Sequence, residues 1–204
     1  MLFDDTYKSI ASESTGTYKD KGSKFIAFAY PLKSEEQVKG LVNALRLTHS
    51  KARHFCWAFR LTPDRSIFRL QDDGEPSGTA GRPILNALLS ADLTDVLIVV
   101  VRYFGGTLLG VPGLIQAYKS AAMDAIAEAK IVTKTLNDVY ELTFPYLRMN
   151  DVMKIIKDEQ PEVVSQSFDN DCKVQLSIRK SSLNAILHKF EKVEELSVKY
   201  LETK

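Results

Sequence analysis

Cysteine is scarce in this sequence. Cys56 and Cys172 are the only two among 204 residues, too few for a disulfide framework, which fits a reducing compartment. Glycine and proline are also few, at 10 and 7, and with 45% apolar and 26% charged residues the chain is excluded from the collagen and disordered classes. No sign of charge dominates: 27 Lys and Arg face 26 Asp and Glu, so no bulk excess advertises a polyanion or an anionic membrane as partner. Long apolar runs are missing as well. The longest, Val96 to Val101, has six residues against the roughly 20 that span a bilayer, so no membrane helix is expected. Met1-Leu2-Phe3-Asp4-Asp5 lacks the basic head and apolar stretch of a secretory signal. A cytoplasmic location is expected.

What is present is periodicity. Lys24 to Tyr30 is an aromatic-rich strand stopped by Pro31. Ser34 and Gln37 form a capping box ahead of Val38, Leu41, Val42 and Leu45, predicting a helix from about Ser34 to Thr48. His54 to Leu61 alternates, with Phe55, Trp57, Phe59 and Leu61 on one side and His54, Cys56, Ala58 and Arg60 on the other, which reads as a strand with one apolar face. Ser66 to Gln71 returns as its hairpin partner. A helix opening at Pro83, with Ile84, Leu85, Leu88 and Leu89, leads to Asp95 to Tyr103, a strand covered on both faces. A helix from about Leu114 to Ala129 follows.

From about Thr135 the order is strand (Val139 to Phe144), helix (Asn150 to Glu159), hairpin (Val163 to Phe168 and Lys173 to Ile178 around Asp169-Asn170-Asp171), helix (Ser182 to Glu191) and strand (Leu196 to Tyr200). That β-α-β-β-α-β order is the split βαβ of ferredoxin-like domains. The expected architecture is therefore α+β in two domains, 1–134 and 135–204, of formal net charge +3 and −2.

Two glycine-rich stretches each feed a helix start, where free amides and the helix dipole favour anions. The first runs Asp72-Asp73-Gly74-Glu75-Pro76-Ser77-Gly78-Thr79-Ala80-Gly81-Arg82 and the second from Arg102-Tyr103-Phe104-Gly105-Gly106 through Gly110 to Gly113. Arg82 and Arg102 are candidate bidentate grips for phosphate or carboxylate. The competing structural reading pairs these arginines with Asp72, Asp73 or Glu75 and gives the glycines to tight turns. The same three carboxylates could form an acidic site for Mg²⁺ or for acid and base work, although a solvated acidic loop is the commoner case. His49, His54 and Cys56 raise zinc but lack a fourth ligand nearby. His54 beside Cys56 on a strand would also allow an activated thiolate, against the default of a buried structural cysteine. No metal or cofactor is expected. Lys51, Arg53, Arg60, Arg65, Arg69 and Tyr103 are candidates for meeting RNA phosphates and bases.

Three stretches in order resemble the bacterial members of the YigZ/IMPACT family: His49-Ser50-Lys51-Ala52-Arg53-His54-Phe55-Cys56-Trp57-Ala58, the Asp72 to Pro83 loop, and Val99 to Gly110 continuing to Gly113-Leu114 and Ala117-Tyr118. The span from Gly81 through Gly110 has the spacing of the family signature. One departure is Pro112-Gly113-Leu114 where the family is expected to have Gly-Gly-Leu; proline removes an amide there but suits a first helical turn. The resemblance implies an N-terminal domain similar to domain 2 of ribosomal protein S5 and a ferredoxin-like C-terminal domain similar to domain V of elongation factor G. Both occur in proteins that touch ribosomal RNA. Together with the two candidate anion sites, the resemblance leads to the expectation of a non-enzymatic factor that binds RNA, the ribosome or a translation protein and modulates translation, with Arg82, Arg102, Tyr103, Gly105, Gly106, Gly110 and Gly113 as candidate anion- or nucleic-acid-binding residues. Eukaryotic IMPACT proteins carry a further partner-binding domain and restrain a starvation-responsive kinase, a role not transferred to this chain. The alternative is an enzyme acting on a phosphorylated or acidic small molecule held at the glycine loops, with Asp72, Asp73 and Glu75 assisting and His54 and Cys56 in support.

Overall fold

The computed structural model describes residues 5–169 and 171–204. Residues 1–4, read above for a secretory signal, and Asn170, in the expected hairpin turn, lie outside the described residues. The chain divides into two units, residues 7–134 and residues 135–204 together with Asp5 and Thr6. The architecture mixes helices with antiparallel sheets.

In the larger unit, β2 (Ser14–Asp20), β3 (Ser23–Pro31), β6 (Val96–Tyr103), β4 (His54–Leu61) and β5 (Ile67–Gln71) make one sheet in the order β2-β3-β6-β4-β5, with every neighbouring pair antiparallel. The Val/Leu/Ile run of β6 is central and alternates between two cores. Val96, Ile98 and Val100 face α2 (Gly81–Ser90) and α3 (Gly110–Ala127), while Leu97, Val99 and Val101 face Val38, Val42 and Leu45 of α1 (Glu36–Thr48). The expected single apolar face of β4 is corrected. Phe55 and Phe59 join the α1 core, but Cys56 and Ala58 are fully buried in the other, because small side chains let α2 and α3 approach closely.

Three strands carried no readable signal: β1 (Thr6–Ile10) and β7 (Ile131–Thr135), which pair as a two-stranded ribbon, and β2. Strand β2 passes into β3 through the two-residue turn Lys21-Gly22, with φ of 43° at Lys21 and 79° at Gly22, the primed geometry that suits a hairpin. Helix α3 opens at Gly110, four residues before the expected Leu114, and α2 opens at Gly81 rather than Pro83. Gly81 and Gly113 are therefore helical residues, whereas Gly110 opens α3 at a φ of 71°, which glycine adopts without strain.

The smaller unit runs β8 (Asn137–Phe144), α4 (Met149–Glu159), β9 (Glu162–Phe168), β10 (Cys172–Arg179), α5 (Leu183–Phe190) and β11 (Ser197–Thr203), and its sheet order is β11-β8-β10-β9. Leu142, Phe144, Val174 and Leu176 from the sheet pack against Val152, Ile156, Ile186 and Phe190 from the helices. No helix among the described residues is long and apolar enough to cross a membrane.

Candidate functional site

The first glycine-rich stretch folds around its own carboxylates. Asp72 accepts hydrogen bonds from the backbone N–H groups of Gly78 (2.9 Å), Ala80 (3.1 Å) and Gly81 (2.8 Å), so it occupies the anion position at the start of α2 that an incoming phosphate would need. Asp73 accepts from the Phe55 N–H at 2.7 Å and from Arg46 at 2.7 Å, while its carbonyl oxygen lies 2.9 Å from His54 Nδ1. The three carboxylates do not converge. Among the described residues no group of three or more His, Cys, Asp or Glu side chains could hold a metal ion.

Glu75 turns inward instead. Its Oε1 accepts from Arg102 Nη1 at 2.5 Å and from the Tyr118 hydroxyl at 2.8 Å, and all three side chains are buried. Cys56 Sγ completes the cluster, 3.3 Å from the Tyr118 hydroxyl and 2.9 Å from the Asp72 carbonyl oxygen. Residues 56, 75, 102 and 118 come from β4, the loop, β6 and α3, so one polar network ties the sheet to both glycine-rich stretches. The guanidinium of Arg102 also lies over the rings of Phe25 and Phe104, at 5.5 and 5.6 Å from their centroids. Burial pushes the Cys56 thiol far above the ordinary thiol range, with the nearby carboxylates adding to it. Burial likewise raises the Tyr118 hydroxyl. His54 is hydrogen-bonded to the Asp73 carbonyl. The geometry thus gives no activated thiolate, and Asp72, Asp73 and Glu75 are each engaged by donors of the protein itself.

Of the two arginines read as anion grips, Arg102 is committed to Glu75, the arrangement the competing structural reading anticipated. Arg82 is exposed on α2 and makes no hydrogen bond or ion pair among the described residues. Tyr103 places its hydroxyl 2.7 Å from His49 Nδ1, away from the network. In the second stretch, a Cβ on Gly105 would fall 1.9 Å from the carbonyl carbon of Gly22, so only glycine allows the two backbones to touch. Gly106 has a φ of 86°, which glycine adopts without strain. Gly110 and Gly113 lie in the first turn of α3, whose start carries no side-chain cap. Pro112 sits in the same turn, where its missing N–H is one that no intrahelical carbonyl would have accepted.

Sequence reasoning quoted Tyr118 only within the family pattern and gave it no role, because the local signal was slight: one hydroxyl-bearing aromatic in an alanine-rich helix. It also passed over the exposed apolar side chains beside the glycines. Phe104 is 52% exposed and Leu108 82% exposed, and Val111 and Ile115 stand one turn apart on α3, also exposed.

The sequence pattern of the Impact N-terminal domain matches residues 21–126. An IMPACT family member of Haemophilus influenzae is 32% identical over 81% of this chain and 81% of its own length, and the Escherichia coli IMPACT family member YigZ is 31% identical over 72% and 74%. This chain belongs to the IMPACT family. A solved structure described as a hypothetical protein is 26% identical and superposes with a TM-score of 0.73 over 97% of this chain and 98% of that one. The matched IMPACT segment contains the whole Cys56, Glu75, Arg102 and Tyr118 network and both glycine-rich stretches. The Pro112 departure falls inside it too, in a helical turn that accepts proline.

Proposed function

We propose that this IMPACT protein is a non-enzymatic binding module that docks on the translation machinery, with the ribosome as its partner. The observation that supports this reading most is the fate of the candidate chemical groups. Asp72 caps a helix, Asp73 holds a strand amide and Arg46, Glu75 is buried on Arg102, and Cys56 is a buried thiol. Left facing solvent are the Gly105-Gly106 turn, Phe104, Leu108, Val111, Ile115 and the unpaired Arg82. Exposed apolar side chains held on a rigid base mark contact surfaces. The resemblance given above also supports it, since it implies one unit similar to domain 2 of ribosomal protein S5 and one that is ferredoxin-like; the larger unit has an antiparallel sheet with helices on both faces and the smaller a βαββαβ order. Both expectations point to proteins that touch ribosomal RNA.

The test is co-sedimentation with ribosomes across a salt series, comparing the wild-type chain with Leu108→Ser and Arg82→Ala. Binding by the wild type that is weakened in both variants is the expected result, with the Arg82 variant also losing part of the salt dependence. A chain that stays in the supernatant at low salt, or variants that bind like wild type, would overturn the reading. The enzymatic alternative predicts a shift in thermal midpoint with a phosphorylated or acidic metabolite, about 2.7 kcal/mol of stabilisation at a hundredfold excess over Kd; the internal engagement of its proposed acids weighs against it.

A further inference from the structure

The face of the sheet opposite the Arg102 network is only partly covered. Helix α1 packs Val38, Val42 and Leu45 over Phe55, Phe59 and the β6 side chains, and a groove of about 760 Å³ remains between α1 and the β4-β5 edge of the sheet. That volume lies within the range of small-ligand sites. Trp57 and Phe59 line it, stacked with centroids 5.8 Å apart and planes 9° from parallel, and Trp57 is half-buried. Lys39, Arg46 and Arg69 line the same groove against one carboxylate, Glu35. Arg46 is engaged by Asp73, but Lys39 is exposed with no ion partner among the described residues, and Arg69 pairs with Glu35 at 2.9 Å with the Arg69 side chain largely in water and Glu35 partly so. An exposed pair of that kind is exchanged for another anion at little cost.

We propose that this groove binds a short segment of single-stranded nucleic acid, with an unpaired base stacked on Trp57 and the flanking phosphates on Lys39 and Arg69. Cations beside an accessible aromatic ring are the combination that single strands use. A duplex keeps its base faces inside the stack and cannot reach Trp57. The proposal is independent of the reading of the Leu108 face and concerns the other side of the sheet.

Trp57 is the one tryptophan of the chain, so its emission reports on this groove alone. Titration of the full chain with an eight-nucleotide oligouridylate at low salt is expected to quench that emission saturably. Lys39→Ala and Arg69→Ala should each flatten the slope of log affinity against log salt by about 0.7. Trp57→Ala, followed by anisotropy of the end-labelled oligonucleotide, should bind about 5- to 150-fold more weakly, while Leu108→Ser binds like wild type. Four results would overturn the proposal: no quenching by the folded protein at low salt, equal quenching by uridine monophosphate, a response to an extended peptide or a duplex but not to the single strand, or unchanged salt slopes in both cation variants. Loss of ribosome binding in Leu108→Ser with oligonucleotide binding intact would separate the two surfaces.

Discussion

Arg102 and Glu75 show how an apparent site can be a structural joint. An ion pair out of water is favourable mainly in comparison with breaking it, since removing one member leaves a buried charge unmatched at a cost of about 3–5 kcal/mol. Glu75→Ala and Arg102→Ala should each lower urea stability by that order, whereas the double change Glu75→Leu, Arg102→Met should recover much of the loss. If the single changes leave the urea midpoint untouched, the network does not hold the loops. Cys56 and Tyr118 add a pH dependence. Folding raises both pKa values, so the folded chain keeps protons that the unfolded chain releases. Their stabilisation is full below the ordinary thiol value of 9.0 and is lost as pH rises beyond it. Urea midpoints should therefore fall between pH 8 and pH 10.5, and Cys56→Ala should reduce that fall. In the native protein neither buried cysteine should react with a thiol reagent at neutral pH, and both should react in urea.

Elements with strong periodicity were legible: α1 from Val38, Val42 and Leu45, β6 from its apolar run, and the β-α-β-β-α-β order of the smaller unit. Less legible were elements whose reason to form lies elsewhere in the chain. Strand β2 is polar and carries Gly16, and its place is set by α3: a Cβ on Gly16 would fall 2.1 Å from the backbone nitrogen of Ala125, and the Thr17 N–H donates to Asp124 at 2.7 Å. Nothing local in Ser14 to Asp20 announces such a partner. The loop from Asp72 to Gly81 was visible as chemistry, but which carboxylate capped α2 and which turned inward depends on Arg46, Phe55, Arg102 and Tyr118, distant in sequence. Backbone contacts of this kind leave no room for a methyl group, so Gly16→Ala and Gly105→Ala should each cost about 1–3 kcal/mol, read as a lower thermal midpoint.

At the scale of the whole molecule, a buried aspartate early in the chain belongs with its far end. Asp5 accepts from Arg179 Nε and Nη2 at 2.8 and 2.9 Å and from the Ser181 N–H at 3.0 Å, and its carbonyl oxygen accepts from the Leu136 N–H at 2.7 Å. The two partners of the ion pair are 174 positions apart. Residues 135–204 produced alone would lack this carboxylate and leave the Leu136 amide and the Arg179 guanidinium without it. That fragment should unfold at lower urea than residues 135–204 within the full chain, and Asp5→Ala in the full chain should reproduce the shift. During synthesis the order of events follows from the same contact. The residues of the larger unit can leave the exit tunnel and fold while Asp5, made long before, still waits for Arg179 and Ser181. Asp5 is thus made before the whole larger unit and yet placed after it, because the smaller unit can close only once Arg179 and Ser181 have been made.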